Sequence, residues 1–288
     1  MKVRSFAKIN MGLEVLRKRE DNYHEIRTLF QAIDFYDVLE FQPISQNKIL
    51  LKSDDDTISW GGDNLIYQTA LLLKERFSLS NGIEVFIEKN IPAGKGLGGG
   101  SSNAAMTLYA LNKIWRLNQN KKDLMNFGKE LGADVSYFLE GGLCLGVGRG
   151  DEIIPLRDYP PCYCLCILPE LSILTASVYK QLRLSLTLDN KESKISKFLE
   201  NRDFDLLENN LEDTVFLIHP QLLAIKSLIQ SLGSELSLVS GSGAAVFGLF
   251  LKKEKAKKAH EELKKKYPLV FVKTLSRDLY WKSISVGV

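Results

Sequence analysis

The stretch Pro92-Ala93-Gly94-Lys95-Gly96-Leu97-Gly98-Gly99-Gly100-Ser101-Ser102 decides how this chain is read. Before it, Ile83-Glu84-Val85-Phe86-Ile87-Glu88 alternates largely apolar and acidic residues, the period of a half-buried strand. After it, Ser102 to about Trp115 is rich in Ala and Leu at helical spacing and lacks proline, which predicts a helix. Five glycines between positions 94 and 100 remove side chains, so backbone N–H groups can close on an anion. The following helix aims its positive end and unpaired N–H groups at the same place. Ser101 and Ser102 add hydroxyls at the helix start, where they could cap the helix, touch phosphate or help hold magnesium. The plain alternative is a flexible glycine turn with a serine N-cap, and so many glycines on a strand–helix junction argue against it.

Three phosphate-binding patterns compete. A Walker A loop needs Gly-Lys followed by Ser or Thr, and Lys95 is followed by Gly96. Gly94-x-Gly96-x-x-Gly99 matches the dinucleotide fingerprint in letters. Its entry strand should be a fully buried apolar run, however, and Glu84 and Glu88 interrupt this one. No strand-end acid stands about twenty residues onward, where helix continues. The protein-kinase loop fails because neither His-Arg-Asp nor Asp-Phe-Gly occurs.

Working outward, Asp63-Asn64 can cap a helix from Leu65 to about Phe77. Lys122 to Leu131 is a further helix with Gly132 as C-cap, and Leu143 to Val147 reads as a strand. Arg157 to Pro161 holds two prolines and marks a boundary. Beyond it the chain reads strand 162–168, helix from about 175, helices between 194 and 232, strands 236–239 and 245–250, helix 253–266 and strand 269–275. A β-α-β-β-α-β core with helical insertions, the ferredoxin-like pattern, accounts for this order. His219 precedes Pro220 and is expected to start a helix.

The chain has 288 residues, enough for two domains, and 45% hydrophobic with 25% charged residues is ordinary globular composition. A net charge of +3 gives no nucleic-acid footprint. His260, among Lys257, Lys258, Glu261 and Lys264, reads as part of a solvated helix face. The start of the chain lacks a signal peptide's apolar run, and no window is apolar enough to span a bilayer, so the expectation is a cytoplasmic protein without a membrane partner. Cys162, Cys164 and Cys166 alternate, which places them on one face of a strand with poor geometry for pairing. With Cys144 they read as small buried residues, and no cluster suggests a structural metal.

Ile91 to Ala105, which contains the glycine run, resembles the central motif of the GHMP kinases (galactokinase, homoserine, mevalonate and phosphomevalonate kinases). Ala7-Lys8-Ile9-Asn10-Met11-Gly12-Leu13 and Ser240-Gly241-Ser242-Gly243-Ala244-Ala245-Val246-Phe247-Gly248 resemble that family's other two motifs, in the right order. Within the superfamily, Ala7–Asn10, Asp21-Asn22-Tyr23-His24, Thr28-Leu29-Phe30-Gln31, Asp63-Asn64-Leu65-Ile66 and Gly132-Ala133-Asp134-Val135-Ser136-Tyr137-Phe138 resemble the branch that acts on 4-diphosphocytidyl-2-C-methyl-D-erythritol. The resemblance spans about residues 5 to 250 and is thin between 180 and 235. That branch usually has glycine where Asn22 stands and proline where Ser136 stands; Asn tolerates the left-handed conformation better than most residues.

The resemblance implies an α+β, two-domain GHMP kinase fold. Residues 1–158 would form the ribosomal-protein-S5-domain-2-like, ATP-binding half and 159–288 the ferredoxin-like half, with the active site between them. It implies phosphorylation of the cytidyl diphosphate substrate's 2-hydroxyl by ATP with Mg2+, in the non-mevalonate isoprenoid route. Asp134 would be general base and Lys8 its cationic partner. Pro92, Ala93, Gly94, Lys95, Gly96, Leu97, Gly98, Gly99, Gly100, Ser101 and Ser102 would hold the nucleotide. Tyr23 and His24 would hold cytidine, Tyr179 would cover the other face of the base, and Asn10 would reach the polyol or phosphate. Without the resemblance, Lys8 is a surface lysine, Asp134 a turn residue and Tyr23-His24 a turn pair beside a strand. Two alternatives stay open: a GHMP kinase for mevalonate, homoserine or a sugar, and a catalytically silent nucleotide-binding regulator of the same fold. The expected assembly is a monomer or homodimer.

Overall fold

The computed structural model describes residues 1–54, 62–182 and 193–286. The chain opens with two long strands, β1 (Lys2–Lys18) and β2 (His24–Ile44), paired antiparallel from Lys2↔Glu40 to Lys18↔His24. The sequence reading assigned no strand here, although Ala7, Ile9, Met11, Leu13 and Val15 alternate with Lys8, Asn10, Gly12 and Glu14. Every residue of β1 from Ser5 to Val15 is buried, the polar set included, so both faces of the strand are covered. Strands β3 (Ile49–Ser53), β4 (Gly82–Glu88), β5 (Leu143–Val147) and β6 (Glu152–Pro155) complete a six-stranded sheet ordered β3-β4-β2-β5-β6, with β1 on β2. Helices α1 (Leu65–Arg76), α2 (Gly99–Ile114), α3 (Lys121–Leu131) and α4 (Val135–Phe138) follow in the same half. Asn64 caps α1 by accepting the Ile66 N–H, as its position before the apolar run predicts.

The second half contributes β7 (Tyr163–Ile167), α5 (Thr175–Gln181), α6 (Lys194–Asn201), α7 (Glu212–Ile218), α8 (Gln221–Ser231), β8 (Leu236–Val239), β9 (Val246–Phe250), α9 (Lys253–Leu263), β10 (Leu269–Lys273) and α10 (Arg277–Ile284). Its sheet runs β10-β7-β9-β8, antiparallel throughout, which is the strand order of a ferredoxin-like unit. The outer face, with Leu165, Ile167, Val246 and Phe250, packs on Ile225 and Ile229 of α8 and Ala256, Ala259 and Leu263 of α9. The inner face, with Cys164, Cys166, Leu238 and Phe247, packs on Ala7, Ile9, Leu29 and Ile33 of the first sheet. The two sheets therefore meet face to face with helices outside, and the halves share one apolar layer.

Cys162, Cys164 and Cys166 do lie together in that layer, as free thiols. Burial pushes the Cys162 thiol up to about 11 and the Cys166 thiol up to about 12, so neither is a nucleophile at neutral pH. His219 does not start a helix. It closes α7, donating its backbone N–H to Val215 O (2.8 Å), because the residue before a proline is pushed out of the helical region; Pro220 then leads into α8.

The chain's end returns to the first half. Leu275, Tyr280 and Ile284 are buried in the core formed by the first sheet and α2. The Tyr280 hydroxyl donates to Phe138 O (2.7 Å) and Trp281 Nε1 to Glu140 O (2.8 Å). A division at residue 158 assigns α10 to the second half by sequence, yet its side chains pack into the first.

Candidate active site

The glycine run leaves β4 and ends at α2, as its flanks predict. Gly94, Gly96 and Gly98 adopt φ of +67°, +74° and +71°, conformations that L side chains rarely take. Space excludes side chains as well. A Cβ on Gly96 would lie 2.0 Å from Ser240 O, and one on Gly98 would lie 2.7 Å from the Phe138 ring. Gly98 is the N-cap of α2 and supplies no side-chain cap, so the first N–H groups of the helix are left for a ligand. Most of the run lines a cavity of about 590 Å³, with Asp63, Asn64, Leu65 and Ile66 across from it.

Ser101 lines this cavity and Ser102 does not. Because α2 starts at Gly99, Ser102 falls on the helix's inner face, fully buried, where it accepts the Ser5 hydroxyl (2.7 Å). Lys95 also turns inward: its Nζ donates to Pro169 O (2.6 Å) and Leu171 O.

The entrance of the loop is fixed by residues that the sequence reading did not single out. Asp37, fully buried, accepts the N–H groups of Asn90 and Ile91 (both 2.8 Å) on Oδ1, and Lys89 Nζ (2.6 Å) and Asn103 Nδ2 (3.0 Å) on Oδ2. Asp37 sits in no local motif; only the fold brings it to the loop. The third glycine motif closes the other side. Ser240 Oγ donates to Gly96 O (2.8 Å), Ala245 N–H donates to Lys95 O (3.1 Å), and Asn209 Nδ2 holds Gly241 O (2.7 Å).

Lys8 and Asp134 come from distant segments and meet. Lys8 Nζ lies 3.2 Å from Asp134 Oδ2 and donates to Asn10 Oδ1 at 2.5 Å. Lys8 is only 3% exposed and its ammonium stands 5.3 Å from the Phe30 ring centre. Asn10 is locked in turn, its Nδ2 donating to Thr28 Oγ1 (2.8 Å). Asp134 precedes α4 but makes no capping bond to it, and about a third of its side chain (31%) is accessible. Ser136, at the departure from the usual proline, is buried and donates to Met125 O (3.1 Å), which fastens this loop to α3.

A second cavity, of about 980 Å³, opens on the Lys8–Asp134 pair and is lined by Asn10, Tyr23, His24, Tyr179, Thr175 and Ser242 among others. Tyr179 and His24 stack with ring centres 4.9 Å apart at 30°. Tyr23 is 55% exposed, with the Arg149 guanidinium 5.0 Å from its ring centre. Asn22 takes φ +65°, the left-handed turn that asparagine tolerates. Desolvation, aided by Lys18, holds the His24 imidazole below its ordinary range, while burial and then Asp134 raise the Tyr179 phenol. Arg149 was not foreseen, although it stands in a Gly148-Arg149-Gly150 turn whose glycines have φ of +68° and +90°. Its bond to Asp151 raises its guanidinium further above the usual value, so it is a permanent cation at the cleft. The two cavities share Gly96 and Gly98 as common wall. One compartment thus ends at an anion cradle, and the other brings a carboxylate and an ammonium to the same point.

Known proteins resemble this chain in sequence and in fold. The family model "GHMP kinases N terminal domain" matches residues 64–142 and "GHMP kinases C terminal" matches residues 195–269. A 4-diphosphocytidyl-2-C-methyl-D-erythritol kinase of Syntrophus aciditrophicus (strain SB) is 42% identical over 92% of this chain and 95% of its own length. A protein of the same name from Caldicellulosiruptor bescii is 39% identical over 96% of both. A crystal structure of a 4-(cytidine 5'-diphospho)-2C-methyl-D-erythritol kinase superposes with TM-score 0.81 at 33% identity, covering 95% of this chain and 99% of the other. A homoserine kinase from Cytophaga hutchinsonii shares the fold, with TM-score 0.79 at 19% identity over 96% of this chain and 94% of its own.

Proposed function

The chain belongs to the GHMP kinase family and is a kinase, and from that premise we propose that it transfers the γ-phosphoryl group of ATP to the 2-hydroxyl of 4-diphosphocytidyl-2-C-methyl-D-erythritol, a step of isoprenoid precursor synthesis. The observation that carries the reading is the shared wall at Gly96 and Gly98. A donor held by the glycine cradle and an acceptor in the larger cleft would meet there, beside Lys8 and Asp134. The acceptor's aromatic cleft, with Tyr23, His24 and Tyr179, suits a nucleobase, which mevalonate, homoserine or a sugar lacks.

In this reading Asp134 accepts the proton of the attacking hydroxyl. The new O–P bond forms as the bond from the γ-phosphorus to its bridging oxygen breaks, and ADP leaves. Lys8 stabilises charge on the transferring group and holds Asp134 in place, while Asn10 and Phe30 fix the ammonium. The N–H groups at the start of α2 take the nucleotide's phosphates. The donor set fits a phosphate-borne magnesium ion: among the described residues no group of three or more His, Cys, Asp or Glu could hold a metal alone, whereas Ser101 and Asp134 offer single oxygens. Magnesium would supply charge neutralisation on the phosphates.

The test is ADP release from MgATP with 4-diphosphocytidyl-2-C-methyl-D-erythritol, mevalonate, homoserine and galactose as acceptors. Turnover is expected with the first alone. Asp134→Asn should lower kcat by roughly a hundred- to ten-thousand-fold with the fold intact. Near-normal turnover in that variant would remove Asp134 from the role of base.

A further inference from the structure

Lys95 occupies a nucleotide loop and yet spends its side chain elsewhere. It is buried, flanked by Gly94 and Gly96 in left-handed conformations, and its ammonium meets two carbonyls, Pro169 O at 2.6 Å and Leu171 O. An ammonium is costly to bury and is satisfied only by acceptors at fixed places. Here both acceptors belong to the other half of the molecule. The same segment touches the loop twice more: Ile173 N–H donates to Gly94 O (3.4 Å), and Ser172 stands 3.2 Å from the position a Cβ on Gly94 would take. Residues 169–174 then run directly into α5, whose Thr175, Ala176 and Tyr179 line the acceptor cleft, with Tyr179 stacked on His24.

We propose that Lys95 is a positioning residue that couples occupancy of the nucleotide cavity to the shape of the acceptor cleft. The route is short and continuous: cradle backbone, Lys95 ammonium, carbonyls of 169 and 171, α5, Tyr179. A phosphate that orders the cradle orders Lys95 with it. Lys95 then holds the segment that presents Tyr179, so each ligand should favour the other by one and the same factor. The residue touches neither reacting atom; it acts through its two carbonyl partners. This inference rests on the donor and acceptor assignment proposed above.

The experiment is calorimetric titration of CDP into wild type, Lys95→Met and Lys95→Arg, with and without MgAMP-PNP. In wild type the nucleotide analogue should tighten CDP by about fivefold or more. Lys95→Met should bring that factor, read as the ratio of that variant's own CDP affinities with and without MgAMP-PNP, close to one. Lys95→Arg, which keeps donors for the carbonyls, should retain part of the factor. No coupling in wild type, or full coupling in a folded Lys95→Met protein, overturns the proposal. If Lys95→Met does not fold, hydrogen exchange on the wild type decides. MgAMP-PNP alone should slow the amides between residues 171 and 182, and unchanged exchange there overturns the proposal equally. Failure of CDP to bind wild type would sink the cytidyl assignment instead, and the exchange measurement would still judge Lys95.

Discussion

At the scale of single residues, the glycines of the cradle are not equivalent, and the structure separates them. Gly96 combines φ +74° with a backbone carbonyl 2.0 Å from where a Cβ would sit, so neither rotation nor a side-chain shift relieves a substitution. Gly100 is already helical and its nearest neighbour would be Leu65 Cδ1 at 3.6 Å, an ordinary contact. Gly96→Ala should therefore cost at least about 1–2 kcal/mol in backbone strain alone and weaken MgATP binding by roughly tenfold or more. Gly100→Ala should melt at or above wild type, since alanine gains about 0.5–1 kcal/mol over glycine within a helix. Thermal melts and nucleotide titrations of both variants check this, and equal losses would mean that the run is only a flexible turn. Much at this scale was readable beforehand. Lys8, Asp134, Asn10, Tyr23, His24 and Tyr179 could be named from motif resemblance, and all of them line one cleft. What letters could not give was direction: Ser102 and Lys95 stand in the motif, but their side chains turn to the interior and to the other half.

At the scale of elements, the cradle depends on how β2 is joined to the loop after β4. The bond runs through Asp37, whose carboxylate takes two backbone N–H groups, the Asn103 amide and the Lys89 ammonium with no exposure to water. Such an anion is worth keeping only because all of its partners are present. Asp37→Ala leaves the Lys89 ammonium, 13% exposed, without its counter-charge, and frees the N–H groups that set where the loop begins. The expected loss is about 3–5 kcal/mol in urea unfolding, with a raised KM for ATP and less effect on KM for the acceptor. A loss under about 1 kcal/mol would be that of a surface ion pair and would contradict the burial argument. The sequence reading found β4 by its alternation, α1 and α2 by their apolar helical spacing, and the second half's strands, β8 and β9 buried on both faces, as short apolar runs. It did not find β1 and β2: β1 alternates from Ala7 to Val15, but its polar set carries Lys8 and Asn10 into the interior, and β2 puts apolar pairs such as Leu29-Phe30 and Ala32-Ile33 on both faces, so Asp37 was lost with it.

At the scale of the whole molecule, the two halves are not separable modules, and the chain's end shows why. Tyr280 is fully buried among Phe6, Phe138 and their neighbours, and its hydroxyl donates to the carbonyl of Phe138. Phe138 ends α4, just after Asp134, and its ring backs Gly98, so the last helix supports the cradle and Asp134 from behind. Arg277 reinforces this contact, pairing with Glu140 at 2.8 Å while its backbone N–H donates to Asp158. The two halves also share the Cys164, Cys166 and Phe247 face with Ala7 and Ile9. Tyr280→Phe should cost about 1–3 kcal/mol, because it strands a buried carbonyl without leaving a cavity. Tyr280→Ala should cost about 3–5 kcal/mol through the lost ring volume. Removing residues 275–288 should leave a first half that does not unfold cooperatively, because it uncovers Leu275, Tyr280 and Ile284 together with the face they protect. Denaturant unfolding of the three proteins, followed by tryptophan fluorescence and by CDP binding, checks the series. If the truncated chain melts cooperatively and still binds nucleotide, the first half is an independent unit and the supporting role of the last helix fails. If the losses rank as expected, the cleft at Lys8 and Asp134 is held by the chain's two ends folding into one core.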